Sequence, residues 1–297
     1  MPEPDSQSPI LSPRGRLARY HAFALDGDAD DARDALAALD RALAEGDAVV
    51  GLGEPLCRAL DVTIEGMRTF PALSGAGIAV PSTQGALMVA LLGDDRGVLL
   101  HRSRALQAAI GDAFVLESLI DTFVHRDSRD LTGYVDGTEN PEGEQARAAA
   151  IVAGAGAGLD GGSFVAVQRW VHDLDAFEDE STAERDRIIG RRLSDNEEMD
   201  DAPQSAHVKR SAQESFDPEA FMVRRSMPFV GEHEEGLLFV AYGESLDRYE
   251  SVMRRMLGLD DGIVDALFRF SHPTDGGYYF CPPLRDGKLD LRAVGID

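Results

Sequence analysis

Three polar side chains in the sequence have types that do chemistry: the carboxylate of Asp136, the imidazole of His207 and the guanidinium of Arg224. Asp136 lies in GYVDGTENP between Gly133 and Gly137, and such small residues let a backbone approach a large planar ligand while the carboxylate points into it. The Asp-Gly and Asn-Pro dipeptides of the same segment also favour tight turns. The motif therefore fits either a proton-transfer carboxylate or a plain surface connection.

His207 lies in the polar stretch DDAPQSAHVKRSA, without a second His or Cys at metal-ligand spacing. This pattern disfavours zinc but permits a single axial ligand to a metal that a macrocycle already holds. A lone histidine in a loop is more often simply solvated, and the chain contains seven histidines. Arg224 is followed by Arg225 in MVRRSMPF, and two arginines beside apolar residues are usually a half-buried ion-pair site. Composition does not choose among these interpretations.

Composition excludes several classes of protein. The 297-residue chain is 43% apolar and 28% charged, so it can bury a substantial core and is not disordered as a whole. Its 53 acidic and 29 basic residues give a net charge of −24, which repels phosphate backbones and anionic lipid headgroups. Nucleic acid and membranes are therefore not expected as partners. Cys57 and Cys281 show no zinc, redox or disulfide spacing, which fits a reducing compartment.

The first residues, MPEPDSQSPILSPRGR, lack the basic start and apolar core of a signal peptide. No run of about 18 apolar residues follows anywhere in the chain. We therefore expect a cytoplasmic protein in which residues 1–15 form a loose arm.

Apolar periodicity predicts strands and amphipathic helices in both halves of the chain. Strands are predicted at 16–25, 47–56, 85–95, 163–174 and 236–243. Helices are predicted within 26–47 and 105–120, from near Ser181, and at 247–257. A polar, turn-rich stretch from about 125 to 162 separates the halves. The similar strand-and-helix units on its two sides indicate a duplicated α+β module.

Several segments, taken together, resemble the dye-decolourising peroxidases, most closely their compact bacterial cytoplasmic branch. They are GYVDGTENP, GGSFVAVQRWVHDL, IGRRLSDNEEMDDAPQSAH, VRRSMPF and FRFSHPTDGGYYFCPPL, and the resemblance spans about residues 16–290. It implies one haem b per chain and an α+β fold of two ferredoxin-like domains with facing antiparallel sheets, of the dimeric α+β-barrel type. Residues 16–150 would form the N-terminal domain with the GxxDG loop, and residues 151–297 the haem-binding domain.

The resemblance also implies residue roles. His207 corresponds to the proximal iron ligand, and we expect Asp265 to hold its far ring nitrogen. Asp136 corresponds to the distal aspartate, which would transfer a proton of the peroxide. Arg224 corresponds to the distal arginine, which would stabilise charge across the breaking O–O bond. Ser226 stands where relatives have Ser or Asn near the distal water. A helix-terminus charge is the competing interpretation for Asp265.

Other residues of the matched segments are expected to contact the cofactor: Asn140, His172, Arg192, Gly137, Thr138, Glu139, Phe239 and Leu267. The first three would offer cations or donors to the haem propionates, and the last two would line the apolar pocket. Ordinary ion pairing or core packing is the competing interpretation. Trp170, in an apolar strand, is expected in the core or next to the haem rather than as a surface radical site.

The resemblance implies a haem peroxidase that reduces hydrogen peroxide through a ferryl intermediate. Its reductant would be a small molecule such as an aromatic dye, a phenol, a porphyrinogen or a metal ion. The alternative is a haem-handling protein that carries porphyrin or releases its iron, with incidental peroxidase activity. Such a carrier would depend little on Asp136 or Arg224. A structural protein without haem on the same fold is a third alternative.

Two expectations concern partners. Homo-oligomers are common in the family, so we expect one here. Some relatives enter protein nanocompartments by means of a C-terminal tail, but RDGKLDLRAVGID ends soon after the last matched segment. Packaging of that kind is therefore not expected.

Overall fold

The computed structural model describes residues 5–13, 15–43 and 47–296. The strands are β1 (Leu17–Leu25), β2 (Ala48–Leu52), β3 (Leu73–Gly75), β4 (Ile78–Val80), β5 (Leu87–Gly93), β6 (Phe114–Phe123), β7 (Ser163–His172), β8 (Val223–Arg224), β9 (Met227–Val230), β10 (Glu235–Gly243), β11 (Ser271–Pro273), β12 (Gly277–Cys281), β13 (Leu284–Arg285) and β14 (Lys288–Leu289). The α-helices are α1 (Ala29–Ala42), α2 (Glu54–Ala59), α3 (Arg96–Ile110), α4 (Gly143–Ala150), α5 (Leu174–Glu178), α6 (Thr182–Ile189), α7 (His207–Arg210) and α8 (Leu246–Met256). Short 3-10 helices cover Ser8–Ile10, Gly111–Ala113, Gln213–Ser215, Ala266–Arg269 and Leu291–Val294.

Ten strands form one antiparallel sheet in the order β11-β7-β12-β2-β5-β1-β6-β9-β10-β8. A further pairing of β7 with β10 closes this sheet into a barrel. The two halves of the chain meet where Phe280 pairs with Leu52 and where Thr122 pairs with Phe229. The expected α+β class with antiparallel strands is confirmed, and strands from both halves join in one closed sheet.

Helix α1 illustrates how the local sequence sets an element. The side chain of Asp28 accepts hydrogen bonds from the N–H groups of Asp30 and Asp31, at 2.9 and 3.0 Å, and the side chain of Asp31 accepts from the Asp28 N–H. Such an N-cap contributes about 1 kcal/mol. The apolar stripe that includes Leu36 and Leu39 is buried, and the helix contacts α3.

Helix α8 packs on strands β7 and β10 in the C-terminal half. Ser245 caps it by accepting a hydrogen bond from the N–H of Asp247. Its buried face consists of Leu246, Tyr249, Val252, Met253 and Met256. Most of these side chains also line the cavity that holds the candidate active site.

The helix predicted over 105–120 is correct only for its first part. Helix α3 ends at Ile110, and Gly111 follows with a φ of +59°, a conformation that favours glycine. Strand β6 begins at Phe114, and its side chains alternate in exposure, so that Val115 and Leu119 point outward. The helical prediction fails there because a short apolar run carries no clear period.

The prediction of a loose arm over residues 1–15 is wrong for residues 5–13, while residues 1–4 and 14 lie outside the described chain. The side chain of Gln7 donates to the carbonyl oxygens of Val50 and Pro282, both at 2.9 Å, and accepts from the Val50 N–H at 2.7 Å. Ile10 is fully buried. Satisfied buried hydrogen bonds and apolar burial therefore hold this segment to the barrel. Within the described ranges, no helix has the length and apolar character needed to cross a membrane.

Candidate active site

A cavity of about 980 Å³, measured out to bulk solvent, lies beneath α8. Its apolar walls are formed by Ile189, Met222, Leu237, Phe239, Val252, Met253, Met256, Leu267 and Phe270. Gln168, Trp170 and His172 reach it from alternate positions of β7, because alternate side chains of a strand share a face. The cavity lining therefore suits a ligand that is mostly apolar.

His207 lies on the cavity wall as the first residue of α7. Its Nδ1 atom is 2.8 Å from Oδ2 of Asp265, and Asp265 is only 1% exposed. The other oxygen of Asp265 accepts a hydrogen bond from the Leu267 N–H at 2.8 Å, so both oxygens of the carboxylate are hydrogen-bonded. With its Nδ1–H donated to this carboxylate, His207 keeps a lone pair on Nε2, the atom that can ligate a metal. The expected pairing of His207 with Asp265 is present.

Asp136 and Arg224 line the same cavity as His207. The N–H of Asp136 donates to the Ser128 carbonyl at 3.0 Å, which fixes the loop of the GxxDG motif. Gly133 and Gly137 have φ values of +90° and +83°, a conformation that costs other residues energy. The motif is thus a tight loop, and Asp136 within it lies on the cavity wall. The role of its carboxylate in proton transfer stays a prediction.

Asn140 does not line the cavity but binds the main chain of Arg224. Its Nδ2 donates to the Arg224 carbonyl at 2.9 Å, and its Oδ1 accepts from the Arg224 N–H at 2.8 Å. Arg224 belongs to the two-residue strand β8, which pairs with β10 at Ala241. Asn140 therefore joins the loop of Asp136 to the strand of Arg224, and its contact with the cofactor stays a prediction.

Ser226 is 1% exposed, and its hydroxyl accepts from the Val240 N–H at 3.3 Å. It lines a small separate void together with Asp136, His125 and Arg129, not the main cavity. The structure thus places Ser226 beside the Asp136 loop.

His172 lies on the cavity wall with both ring nitrogens engaged. Nδ1 is 2.7 Å from the Ser271 hydroxyl, and Nε2 is 3.1 Å from Oδ2 of Asp130. Burial opposes the charged form of Asp130, but hydrogen bonds from His172 and Thr132 hold its pKa below the usual value. His172 is therefore a fixed polar group of the wall and does not compete with His207 as a metal ligand.

A polar cleft continues from the cavity through Asp136, His207 and Arg224, which line both. The predicted residues Gly137, Thr138 and Glu139 line this cleft. Its basic residues are Arg191, Lys209, Arg210, Arg224 and Arg255. Its acidic residues are Asp136, Glu139, Glu198, Glu214 and Asp261, and both Arg191 and Lys209 form ion pairs with Glu198.

The prediction that Arg192 contacts the cofactor is not supported by its position. Arg192 forms ion pairs with Asp195 and Glu197, and it lines neither the cavity nor the cleft. The neighbouring Arg191 lies in the cleft instead, 2.7 Å from Oε1 of Glu139. Adjacent residues of an extended segment point in different directions, and the sequence IGRRLS offers no signal for choosing between them.

Gln168 is a cavity residue that the sequence interpretation missed. It is completely buried, and its Oε1 accepts hydrogen bonds from Trp170 Nε1 at 3.3 Å and from the Tyr249 hydroxyl. Its Nε2 has no hydrogen-bond partner among the described residues. An unsatisfied buried donor costs about 1–3 kcal/mol. A bound ligand that presents an acceptor or a π face to this amide would remove that cost.

The model of the family Dyp-type peroxidase, C-terminal, matches residues 127–286. The chain is 31% identical to the dye-decolorizing peroxidase of Mycobacterium tuberculosis, over 94% of this chain and 89% of the relative. It is 29% identical to that of Rhodococcus erythropolis, over 94% and 87%. Among solved structures, DyPB from Rhodococcus jostii RHA1 superposes with a TM-score of 0.84 at 28% identity, over 92% of this chain and 94% of that one. A DypB variant of the same organism was solved in complex with heme.

Sequence and structure thus agree over nearly the whole chain and over nearly the whole of these relatives. The relatives are named as peroxidases. Their names do not favour the alternative in which the protein carries haem and has only incidental peroxidase activity. The chain belongs to the Dyp-type peroxidase family of haem peroxidases.

Proposed function

We propose that this peroxidase holds one haem b in the cavity beneath α8, with Nε2 of His207 as the axial ligand of the iron. The observation that carries this proposal is the 2.8 Å bond from His207 Nδ1 to Asp265 in a cavity that Asp136 and Arg224 also line. A carboxylate on the far nitrogen orients the imidazole and increases its basicity.

The residues present fit this cofactor. The apolar walls match the faces of a porphyrin, and the amide Nε2 of Gln168, buried without a partner among the described residues, would meet its π surface. The polar cleft beside His207 would receive the propionates, with Arg191 and Lys209 exchanging their ion pairs to Glu198 for this contact. When bound, the haem supplies the electrons that reduce the peroxide and later accepts electrons from the reducing substrate.

Asp136 and Arg224 act on the peroxide. Reduction of hydrogen peroxide takes up two electrons and two protons and releases two molecules of water. A carboxylate oxygen of Asp136 takes the proton from one peroxide oxygen and returns it to the other, which then leaves as water. Arg224 stabilises the negative charge that develops as the O–O bond breaks, since its guanidinium stays protonated. Asn140 acts as a positioning residue for Arg224.

The electrons come from a small reducing substrate, for which an aromatic dye, a phenol, a porphyrinogen and a metal ion are the candidates. Such substrates approach through the polar cleft, where Thr138 and Glu139 lie.

We extend the proposal to the organisation of the protein. Residues 16–150 and 151–297 each contribute strands of the barrel and at least one amphipathic helix, which supports two ferredoxin-like modules. Cys57 and Cys281 are buried free thiols, which supports a cytoplasmic location. A homo-oligomer is proposed by analogy with the family.

The visible spectrum of the haem-loaded protein tests the proposal. The wild type and a His207→Ala variant are compared before and after one equivalent of hydrogen peroxide, with the exposed His272→Ala as the matched control. We expect a histidine-ligated ferric spectrum that changes rapidly with peroxide in the wild type and the control. His207→Ala should lose or alter that spectrum. An unaltered spectrum in His207→Ala would assign the ligand to another residue.

A further inference from the structure

Tyr134 lies on the wall of the cavity, and its hydroxyl donates a hydrogen bond of 2.5 Å to Oδ1 of Asp186. The tyrosine is 4% exposed, and its ring packs edge-on against Phe177. Asp186 belongs to α6 and is only half-buried. Its Oδ1 also accepts from the Leu193 N–H at 3.0 Å, which fixes the carboxylate. A single hydrogen bond therefore links a buried phenol on the cavity wall to a carboxylate that reaches solvent.

This arrangement has a chemical consequence for a phenol beside a redox cofactor. A phenol that loses an electron becomes a strong acid, so its oxidation is favourable only where a base takes the proton at the same time. Burial raises the pKa of Tyr134, and the hydrogen bond to Asp186 raises it further. The phenol thus remains protonated before oxidation, and Asp186 is already in place to receive its proton.

The tryptophan and the second tyrosine of the cavity wall are bonded to an amide instead of a carboxylate. Trp170 Nε1 and the Tyr249 hydroxyl both donate to the amide oxygen of Gln168. An amide oxygen accepts hydrogen bonds but is too weak a base to take a proton at ordinary pH. Of the one tryptophan and two tyrosines that line the cavity in the described chain, Tyr134 therefore has the bond best suited to losing an electron and a proton together.

We propose that Tyr134 is a redox-active residue of this enzyme and that Asp186 is its proton acceptor. After peroxide has taken two electrons from the enzyme, Tyr134 would give one electron to the oxidised cofactor, and its phenolic proton would move to Asp186. The products are a neutral tyrosyl radical and a protonated Asp186. One electron from the reducing substrate and the proton returned by Asp186 then restore the phenol. This inference rests on the peroxidase function and adds a route for electrons through the cavity wall.

The alternative is a purely structural bond that ties the loop of the GxxDG motif to α6. A structural bond would leave no radical on the tyrosine, so a direct search for the radical separates the two roles. The holoenzyme is mixed with one equivalent of hydrogen peroxide without a reductant, frozen within milliseconds and examined by electron paramagnetic resonance. The variants are Tyr134→Phe and Asp186→Asn, and Tyr279→Phe, a buried tyrosine that does not line the cavity, is the matched control for removal of a buried hydroxyl.

We expect a tyrosyl radical in the wild type and in Tyr279→Phe, and none in Tyr134→Phe. Asp186→Asn keeps the shape of the acceptor but not its basicity, so it should slow radical formation by about 100-fold or more, the scale of a positioned proton acceptor. A nitroso spin trap followed by peptide mass spectrometry should place the adduct on Tyr134 in the wild type. This measurement needs no variant.

Other outcomes overturn the proposal. A tyrosyl radical that persists in Tyr134→Phe, or a trap adduct only on another residue, would assign the radical elsewhere. A wild type that consumes peroxide without forming any protein radical would reject the route through Tyr134 and leave the peroxidase function standing. A wild type whose haem does not react with peroxide would reject the peroxidase function and the route together.

Discussion

The amide of Asn140 binds both polar groups of the Arg224 main chain, donating to its carbonyl at 2.9 Å and accepting from its N–H at 2.8 Å. Asn140 lies four residues after Asp136 on the same loop. One side chain therefore ties the main chain of Arg224 to the loop of Asp136, although Asp136 and Arg224 are 88 residues apart in the sequence.

Replacement of Asn140 should impair catalysis, although in our proposal the Asn140 side chain does not contact the peroxide. Asn140→Ala leaves the buried main-chain groups of Arg224 without this partner and lets β8 shift. A displacement of about 1 Å can reduce a rate about 100-fold, so we expect kcat/KM for hydrogen peroxide to fall about 10- to 100-fold. The exposed amide of Asn196, which donates to Thr138, gives the control Asn196→Ala. Steady-state kinetics of both variants check this, and a parent rate in Asn140→Ala would refute it.

Arg224 and Asp136 should each be needed for reduction of peroxide. Loss of a fixed charge-stabilising group costs about 100- to 1,000-fold, which we expect for Arg224→Leu. Loss of a proton-transfer group costs about 100- to 10,000-fold, which we expect for Asp136→Asn. Stopped-flow mixing with peroxide measures both rates. Arg192→Leu is the control, because Arg192 is paired outside the cavity; an equal loss in this control would contradict the assignment.

Asp265 should govern the affinity for haem. Removing the carboxylate behind a metal-ligating histidine typically weakens metal binding about 10- to 100-fold, and we expect this for Asp265→Asn. The rate of haem transfer to an excess of apomyoglobin measures the change. The exposed Asp260→Asn should transfer haem at the wild-type rate. Equal rates in all three proteins would show that Asp265 does not hold the ligand.

Asp130 should contribute to stability above pH 4 and lose that contribution in acid. Burial alone would raise its pKa, but hydrogen bonds from His172 and Thr132 lower it below the unfolded value of about 3.9. As the pH falls below about 4, the unfolded state therefore binds a proton first, and the free energy of unfolding decreases. Melting temperatures are measured from pH 3 to pH 6. The wild type should melt at a higher temperature than Asp130→Asn at pH 6, and this difference should become smaller as the pH falls. The substitution of the exposed Asp112, Asp112→Asn, is the control. A difference in melting temperature between wild type and Asp130→Asn that grows in acid would contradict the prediction.

Much of the fold and of the site could be predicted from the sequence. Long periodic segments such as those of α1 and β10 form the predicted elements because their apolar faces are buried. The grouping of Asp136, His207 and Arg224 followed from the matched segments, and the structure places all three on one cavity.

Other features depend on tertiary contacts that leave no local signal. The segment around Gln7 looks loose by composition, but its amide finds buried partners 43 and 275 residues away. The bond between Tyr134 and Asp186 joins residues 52 apart. Neither pairing has a spacing that a helix or a strand would impose, so neither could be predicted.

The most direct test of the account measures the bond from the iron to His207. Resonance Raman spectra of the ferrous enzyme report the stretching frequency between the iron and its histidine ligand. We predict such a band in the wild type and a shift to lower frequency in Asp265→Asn, because the 2.8 Å bond from Nδ1 to Asp265 makes the imidazole more basic. The same frequency in both proteins would contradict the claim that this pair holds the haem.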